Sequence, residues 1–385
     1  MASVTRGKLV MKDFPPPARL SLPLAGAQPR KGLRKGKAVA QGEVLAEAQG
    51  PFAPDLAAPL PGRVAGLDGA AVVLDVDFNA GAEPVEPARL KELGPVEAAK
   101  ALRRMGIIPP PAPPPGEPVV ISGFDPEPGL KMAATLWEDQ RSALEDGLRL
   151  ITRLYPGKPV VQCLPPGARP LANMDSAAVA MKLAYPWTLL PLLKKRLMRK
   201  IGRAAARAGK EPPYDPSARG VCGSRTLYLM GTALRTGRAP ALMPVSLNGA
   251  PALVPHGMSA VELLALVNLR PRPGDGVVLG GLARGRSCAR LAEGLGPGVE
   301  AVNLLKGGAP SASRLEGRCS MCGRCRAACP LRLPVDLIGG SPKRLWPLLL
   351  ERLPQLASCP GCGLCALACP QNVPLAALLG AGAAS

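Results

Sequence analysis

The chain has 385 residues, 47% of them hydrophobic, with 47 prolines and 44 glycines but only 4 Phe, 3 Trp and 4 Tyr. That length leaves room for two or three packed domains, and the shortage of rings excludes sequence-general binding of single strands by base stacking, so no nucleic-acid partner is expected. The 48 basic residues outnumber the 28 acidic ones for a net charge of +20, which calls for an acidic partner protein or an anionic membrane surface. No secretory signal opens the sequence and no apolar run is long enough to span a bilayer, so a cytoplasmic location is expected.

In chain order, residues 20–78 alternate short apolar runs with Gly and Pro, which predicts a small β module within 1–95. Its spacing resembles the barrel-sandwich of lipoyl and biotinyl domains. The turn Pro59-Leu60-Pro61-Gly62-Arg63-Val64 has no lysine at its tip, so the module is read as structural rather than as a carrier of a prosthetic group. The run Pro109 to Pro115 predicts an extended, backbone-solvated segment. Beyond it, strand-like 117–124, helix-periodic 131–155 and strand-like 158–164 predict a parallel α/β sheet within 96–236.

Residues 186–210 place Leu189, Leu193, Leu197 and Ile201 at successive i+4 positions, with eight Lys or Arg after Pro191 and no acid. Two readings stand side by side: a core-facing stripe with a solvated basic back, or a face that docks on anionic lipid or an acidic partner. Residues 238–282 read as a compact α+β unit. His256, the single histidine, reads as a surface or turn residue, and Cys163, Cys222 and Cys288 as scattered thiols in no redox pair. The glycines of GLARGRS and VVLGGL are weak evidence for phosphate binding.

The most specific signal lies near the C-terminus. Cys319, Cys322, Cys325 and Cys329 are followed by Pro330, and Cys359, Cys362, Cys365 and Cys369 by Pro370, so that both strings read C-x2-C-x2-C-x3-C-P. Three thiolates at such gaps wrap three corners of a cubane and aim the fourth at a neighbouring cluster. The spacing assigns Cys319, Cys322, Cys325 and Cys369 to one [4Fe-4S] centre, and Cys359, Cys362, Cys365 and Cys329 to a second. Structural zinc prefers paired Cys-x2-Cys knuckles and matches these strings poorly. The helix-like 342–356 between them points to a helical two-cluster ferredoxin fold over 301–385.

With these motifs in place, the chain resembles the C subunit of the Rnf (also called Rsx) membrane electron-transport complex along nearly its whole length. The strings CSMCGRCRAACPLRLPVDL and CPGCGLCALACPQNVPL match best; Ile121-Ser122-Gly123-Phe124-Asp125-Pro126-Glu127-Pro128 resembles the family's I-N-G-x-E-C-E-P, and 227–245 resembles the approach to its ubiquitin-like domain. The resemblance implies an α/β multidomain protein. It comprises a barrel-sandwich module (1–95), a domain like the flavin-carrying subunit of complex I (96–236), a ubiquitin-like β-grasp domain of the soluble-ligand-binding type (237–300) and the two-cluster domain (301–385). It further implies a peripheral place on the cytoplasmic side of the cell membrane, membrane subunits and an acidic ferredoxin-like protein as partners, and electron flow linked to ion translocation.

The departures from the family concern one site. The proline run stands where the family has a glycine-rich flavin loop, and proline supplies neither an N–H for phosphate nor a positive φ. Tyr185-Pro186 continues as Trp187-Thr188-Leu189-Leu190 instead of a glycine/acid stretch, and Ser122 and Asp125 replace the Asn and first acid of the middle motif. Asp125 and Glu127 are therefore read as a remnant of a flavin site; FMN and NADH binding are expected to be weakened or lost, with no catalytic residue of the chain's own. The alternatives are a soluble reductase or carrier, like the cobalamin reductases, and a scaffold whose clusters are structural.

Overall fold

The computed structural model describes residues 16–50, 53–172, 176–205, 215–307, 319–371, 373 and 375. The chain is an α/β multidomain protein with several sheets. The first module holds β1 (Arg19–Pro23), β2 (Gln28–Pro29), β3 (Ala38–Val39), β4 (Val44–Glu47), β5 (Leu56–Ala57), β6 (Gly62–Leu67) and β7 (Ala71–Val76). They form two antiparallel sheets, β1-β7-β6-β3 and β2-β4-β5. Leu20, Leu22 and Leu74 alternate with more exposed neighbours, as a half-buried strand requires, and fill the space between the sheets.

The second unit follows α1 (Pro95–Arg104). It contains β8 (Val119–Ser122), α2 (Ala133–Asp139), α3 (Arg141–Leu154), β9 (Val160–Leu164), β10 (Ser176–Ala180), α4 (Leu190–Ala205), β11 (Val221–Gly223) and α5 (Ser224–Thr236). The sheet is parallel throughout, in the order β10-β9-β8-β11. Both faces are covered, which is why its inner strands are continuous apolar runs. Val119, Ile121, Val160 and Leu164 face α3 and α5, while Val120, Val161 and Cys163 face Leu193 and Leu197 of α4. The core-facing reading of the basic helix therefore holds for its leucine stripe. Its basic side is partly used within the chain. Buried Lys194 reaches Glu117 at 2.7 Å and the Arg219 carbonyl at 2.7 Å, and Lys200 donates to the Ala180 carbonyl at 2.6 Å.

Helices α3 and α5 touch backbone to backbone. A Cβ at Gly231 would lie 1.7 Å from the Ala143 carbonyl oxygen, and one at Gly147 would lie 2.1 Å from that of Leu227. The proline run is not a solvated strap. Pro110 and Pro113 are buried, the Pro111 carbonyl accepts the Gly220 N–H at 2.7 Å, and the Tyr155 hydroxyl donates to the Pro110 carbonyl. The run extends without regular structure because proline has no N–H to give, yet its carbonyls knit it to the amino-terminal edge of the parallel sheet.

The third unit comprises β12 (Met243–Leu247), β13 (Ala250–Val254), α6 (Ala260–Leu266), β14 (Gly276–Leu279), β15 (Arg286–Ser287) and β16 (Ala301–Leu305). Its mixed sheet runs β13-β12-β16-β14-β15, with β16 parallel to β12 and antiparallel to β14. This moves the expected boundary at residue 300. The strand 301–305 belongs not with the cysteines but to this sheet, as its middle strand, held by pairing on both sides. Helix α6 begins at a capping box, in which Ser259 Oγ accepts the Glu262 N–H and the Glu262 carboxylate takes the Ser259 N–H.

The first and third units share one apolar core, where Leu20, Leu22, Leu45 and Leu74 meet Leu247, Val254, Leu263 and Val277. His256 lies at that seam. It is buried rather than superficial, with Nε2 3.1 Å from the Ala57 carbonyl and Nδ1 without a partner. A lone histidine in a loop sequence gives no hint of this, since the covering residues come from the first module. Burial, helped by the charge of Arg225 against the Ala57 contact, pushes the imidazole from 6.5 down to about 4.

Two outcomes follow for stability. Gly231→Ala should lower the unfolding free energy by about 1–3 kcal/mol in a denaturant titration, because α3 and α5 must move apart. A histidine depressed in the folded state stays neutral while the unfolded chain takes up its proton. Stability should therefore fall as pH drops from 6.5 through about 4, by on the order of 3 kcal/mol, and His256→Gln should flatten that dependence in the same titration.

Candidate metal centre

The C-terminal segment is helical: α7 (Arg324–Ala328), α8 (Val335–Gly339), α9 (Trp346–Arg352) and α10 (Leu364–Leu367), with 3-10 turns at Lys343–Leu345 and Pro354–Ser358. Each cysteine string folds as a loop running into a short helix, and the two copies share one backbone path. Gly323 and Gly363 precede α7 and α10 at φ 72° and 74°, and Met321 and Gly361, two residues earlier, have φ 53° and 64°. These left-handed residues reverse the chain so that successive thiols turn toward one side. The same turn aims an N–H back at the first sulfur of each string. Met321 donates to Cys319 Sγ and Gly361 to Cys359 Sγ, both at 3.4 Å. Cys329 Sγ accepts the Leu333 N–H at 3.4 Å.

α7 and α10 pack side by side. Cys325, Cys329 and Cys365 are buried in one core with Leu333, Val335, Ile338 and Leu356, and Cys319, Cys359 and Cys369 lie against it. Cys362 is buried in an adjoining cluster, and Cys322 is exposed. All eight predicted cysteines thus belong to one small region, whereas Cys163, Cys222 and Cys288 stand apart from it in other units.

The electrostatics group the thiols further. Burial is the leading cause of the raised pKa at Cys359, Cys362 and Cys365, the last pushed up to about 12, and Cys329 adds to the rise at all three. The fourth cysteine of the first string therefore sits in the field of the second. Cys325 is raised by burial, with a smaller contribution from Cys319; exposed Cys322 is lowered, first by the Arg324 N–H. Among the described residues no three His, Cys, Asp or Glu side chains converge closely enough to hold a single ion. Thiol donors, burial in an apolar core and N–H groups aimed at sulfur fit iron-sulfur ligation, in which each thiolate takes a different iron.

The second string docks on both neighbouring units. Cys362 packs with Leu189, Leu192 and the aromatic pair Tyr185 and Trp187, and the Tyr185 hydroxyl donates to the Cys362 carbonyl. Trp187 is capped by the Arg196 guanidinium, 4.0 Å from the ring centroid. On the other side a Cβ at Gly363 would lie 2.1 Å from the Ala283 carbonyl oxygen. No motif in the sequence announces this role of Tyr185 and Trp187. The available signal was two aromatics within three residues in a chain that is 3% aromatic.

Asp125 and Glu127 are bound to backbone. Asp125 Oδ1 accepts the Met132 and Ala133 N–H groups at 3.0 and 2.8 Å, where α2 begins, and Glu127 Oε2 accepts the Arg284 N–H at 2.9 Å. Burial is the main cause that raises both carboxyls. They lie near the point where strand order reverses, between β8 and β11, the place where open α/β sheets hold ligands beyond the carboxyl ends of their strands. Here the crevice is largely closed. The Ser224 hydroxyl donates to the Ser122 carbonyl and accepts Trp137 Nε1–H, and the remaining cavity, lined by Asp125, Ser224 and Arg225, is about 80 Å³. Ligand pockets run to roughly 300–1,000 Å³, so this cavity alone is small for a flavin, while Glu127 also borders a cavity of about 500 Å³ with Gly280, Gly281 and Glu300. The proline run lies at the opposite edge of the sheet.

No family profile and no curated protein matches the chain. Among solved structures it is similar to the NAD+-reducing [NiFe]-hydrogenase in the air-oxidized state, at 14% identity and TM-score 0.37, over 63% of this chain and 48% of that one. For the H2-reduced state the figures are 15% identity and TM-score 0.43, over 77% of this chain and 63% of that one. The chain thus spans less than two thirds of the length of either. FMN added to the purified protein should leave its flavin fluorescence unquenched at micromolar concentrations; stoichiometric quenching would show that the crevice opens.

Proposed function

We propose that the chain is an iron-sulfur electron-transfer subunit of an Rnf-like, membrane-associated complex, holding two [4Fe-4S] clusters. Cys319, Cys322, Cys325 and Cys369 hold the first, and Cys359, Cys362, Cys365 and Cys329 the second. The observation that carries this reading is that Cys325 and Cys329 of the first string and Cys365 of the second are buried in one core, with Cys319, Cys359 and Cys369 packed against it. When bound, such clusters pass single electrons without making or breaking bonds to a substrate. The protein's part is to place and tune them: the Met321, Gly361 and Leu333 N–H groups donate to ligand sulfurs and favour the reduced, more negative state.

In this reading electrons enter and leave through partner redox proteins rather than through FMN and NADH; the support is the narrow crevice beyond β8 and β11, where about 80 Å³ remains. The strand order of the third unit supports its reading as a β-grasp domain, and the paired sheets of the first support the barrel-sandwich reading. Among the described residues no helix is long and apolar enough to cross a membrane. This agrees with a peripheral subunit seated on membrane partners.

Anaerobically purified protein should carry about eight irons and eight sulfides per chain. Cys325→Ser and Cys365→Ser should each remove about half of the iron and one of two sets of reduced-state paramagnetic signals. Fewer than about eight irons in the unsubstituted protein contradicts the two-cubane assignment. Recovery wholly apart from membranes, with both clusters present, would instead place the chain among soluble reductases.

A further inference from the structure

The two cysteine strings share one backbone path but differ at their second cysteine. Cys322 is exposed, whereas Cys362 is 6% exposed and packs with Leu189 and Leu192 of the parallel-sheet unit. Leu331, two residues after Cys329, and Leu364, between Cys362 and Cys365, lie against the same cluster together with Tyr185 and Trp187. The aromatic pair thus packs on the chain around three of the four cysteines assigned to the second centre.

Tyr185 also binds that chain directly. Its hydroxyl donates to the Cys362 carbonyl, and just beyond Cys362 the Leu364 N–H is aimed at the Cys362 thiol. The two groups belong to successive peptide units joined at Gly363, whose φ is 74°, so turning the first unit redirects the second. A glycine joint offers little resistance of its own. The hold comes from outside, from the Ala283 carbonyl packed on Gly363 and from the Tyr185 hydroxyl.

The tyrosine is itself fixed. The Trp187 N–H donates to the Ala184 carbonyl at 2.8 Å, the Thr188 hydroxyl donates to the Pro126 carbonyl at 3.1 Å, and Arg196 caps the Trp187 ring. Burial raises the Tyr185 phenol, and the charges of Cys362, Glu127 and Cys365 add to the rise. The hydroxyl therefore keeps its proton and remains a donor beside two of the ligands.

We infer that Tyr185 is a positioning residue for the second [4Fe-4S] cluster: by holding the Cys362 carbonyl it keeps the Leu364 N–H on the Cys362 sulfur and so sets that cluster's potential. The inference rests on the two-cluster reading above. Its effect has a sign. N–H donation to a ligand sulfur, and a donor covering the negative end of a nearby carbonyl, both favour the cluster that holds the extra electron, and both act more strongly where water is excluded. Loss of the hydroxyl weakens both, so the second cluster should become harder to reduce.

The test is a redox titration of the cluster-loaded full chain followed by electron paramagnetic resonance, in which the signals of the second cluster are those that Cys365→Ser removes. Tyr185→Phe keeps the ring and deletes only the hydroxyl. Iron should stay at about eight per chain. The second cluster's reduction equilibrium should shift on the order of tenfold toward the oxidised form, about 59 mV for one electron, while the first cluster stays within about twofold. Tyr155→Phe deletes a hydroxyl that donates to the Pro110 carbonyl instead, and should move neither cluster.

An unchanged or raised second-cluster potential in Tyr185→Phe, equal shifts of both clusters, or an equal effect of Tyr155→Phe would overturn the positioning role while leaving the clusters in place. Loss of about half the iron from Tyr185→Phe would overturn it too, because the hydroxyl would then support the fold of the site rather than tune it. Absence of iron from the unsubstituted chain would overturn the two-cluster reading and this inference with it.

Discussion

Everything proposed for the redox region depends on one geometric constraint: two short cysteine strings must lie side by side so that each lends its last thiol to the other. A string of four cysteines cannot wrap a cubane alone, because the C-x3-C step carries the last one away from the other three. Left-handed backbone at Met321, Gly323, Gly361 and Gly363 turns each string, and the apolar residues Leu333, Val335, Ile338 and Leu356 bring the turns together. A non-glycine residue at positive φ costs roughly 1 kcal/mol or more, so Met321 is held there by its surroundings. Its sulfur lies over Gly340 and its N–H points at Cys319.

The same constraint explains how the rest of the molecule is arranged around that region. Tyr185 and Trp187 lie between β10 and α4, at the start of the parallel sheet's last long connection, and Ala283 lies in the loop between β14 and β15; both meet the second string. Glu127 joins the two by holding the Arg284 N–H. A carboxylate that resembles part of a flavin site therefore works as a clamp between units, and Asp125 works as an N-terminal anchor for α2. The motif's acids persist in roles that any tight loop would use.

How much of this was legible in the sequence depended on how local each signal was. The apolar runs of β8 and β9 and the leucine stripe of α4 are short-range patterns, and each is found where the pattern put it; the cysteine spacing is equally local, and its thiols gather in one region. The place of Ala301–Leu305 was not legible, because its partners Ser246 and Leu247 lie more than 50 residues away and a five-residue apolar run pairs with whatever the topology supplies. The burial of His256 leaves no local mark for a similar reason: its carbonyl partner, Ala57, is in another unit. The composition of the proline run foretells its lack of regular structure but not its burial, since carbonyl acceptance leaves no mark on composition.

The core shared by the first and third units bears on the order in which the chain can complete itself during synthesis. Leu20, Leu22, Leu45 and Leu74 emerge early, but the residues that cover them, from Leu247 to Val302, are made only after the whole parallel-sheet unit has appeared. Domains usually close as they emerge. Here the second unit can close around its own core while the first still waits, its leucines unshielded, for a partner synthesised about 200 residues later. The middle unit is in effect an insertion into a split domain, and the first module, though made before that unit, is sealed after it.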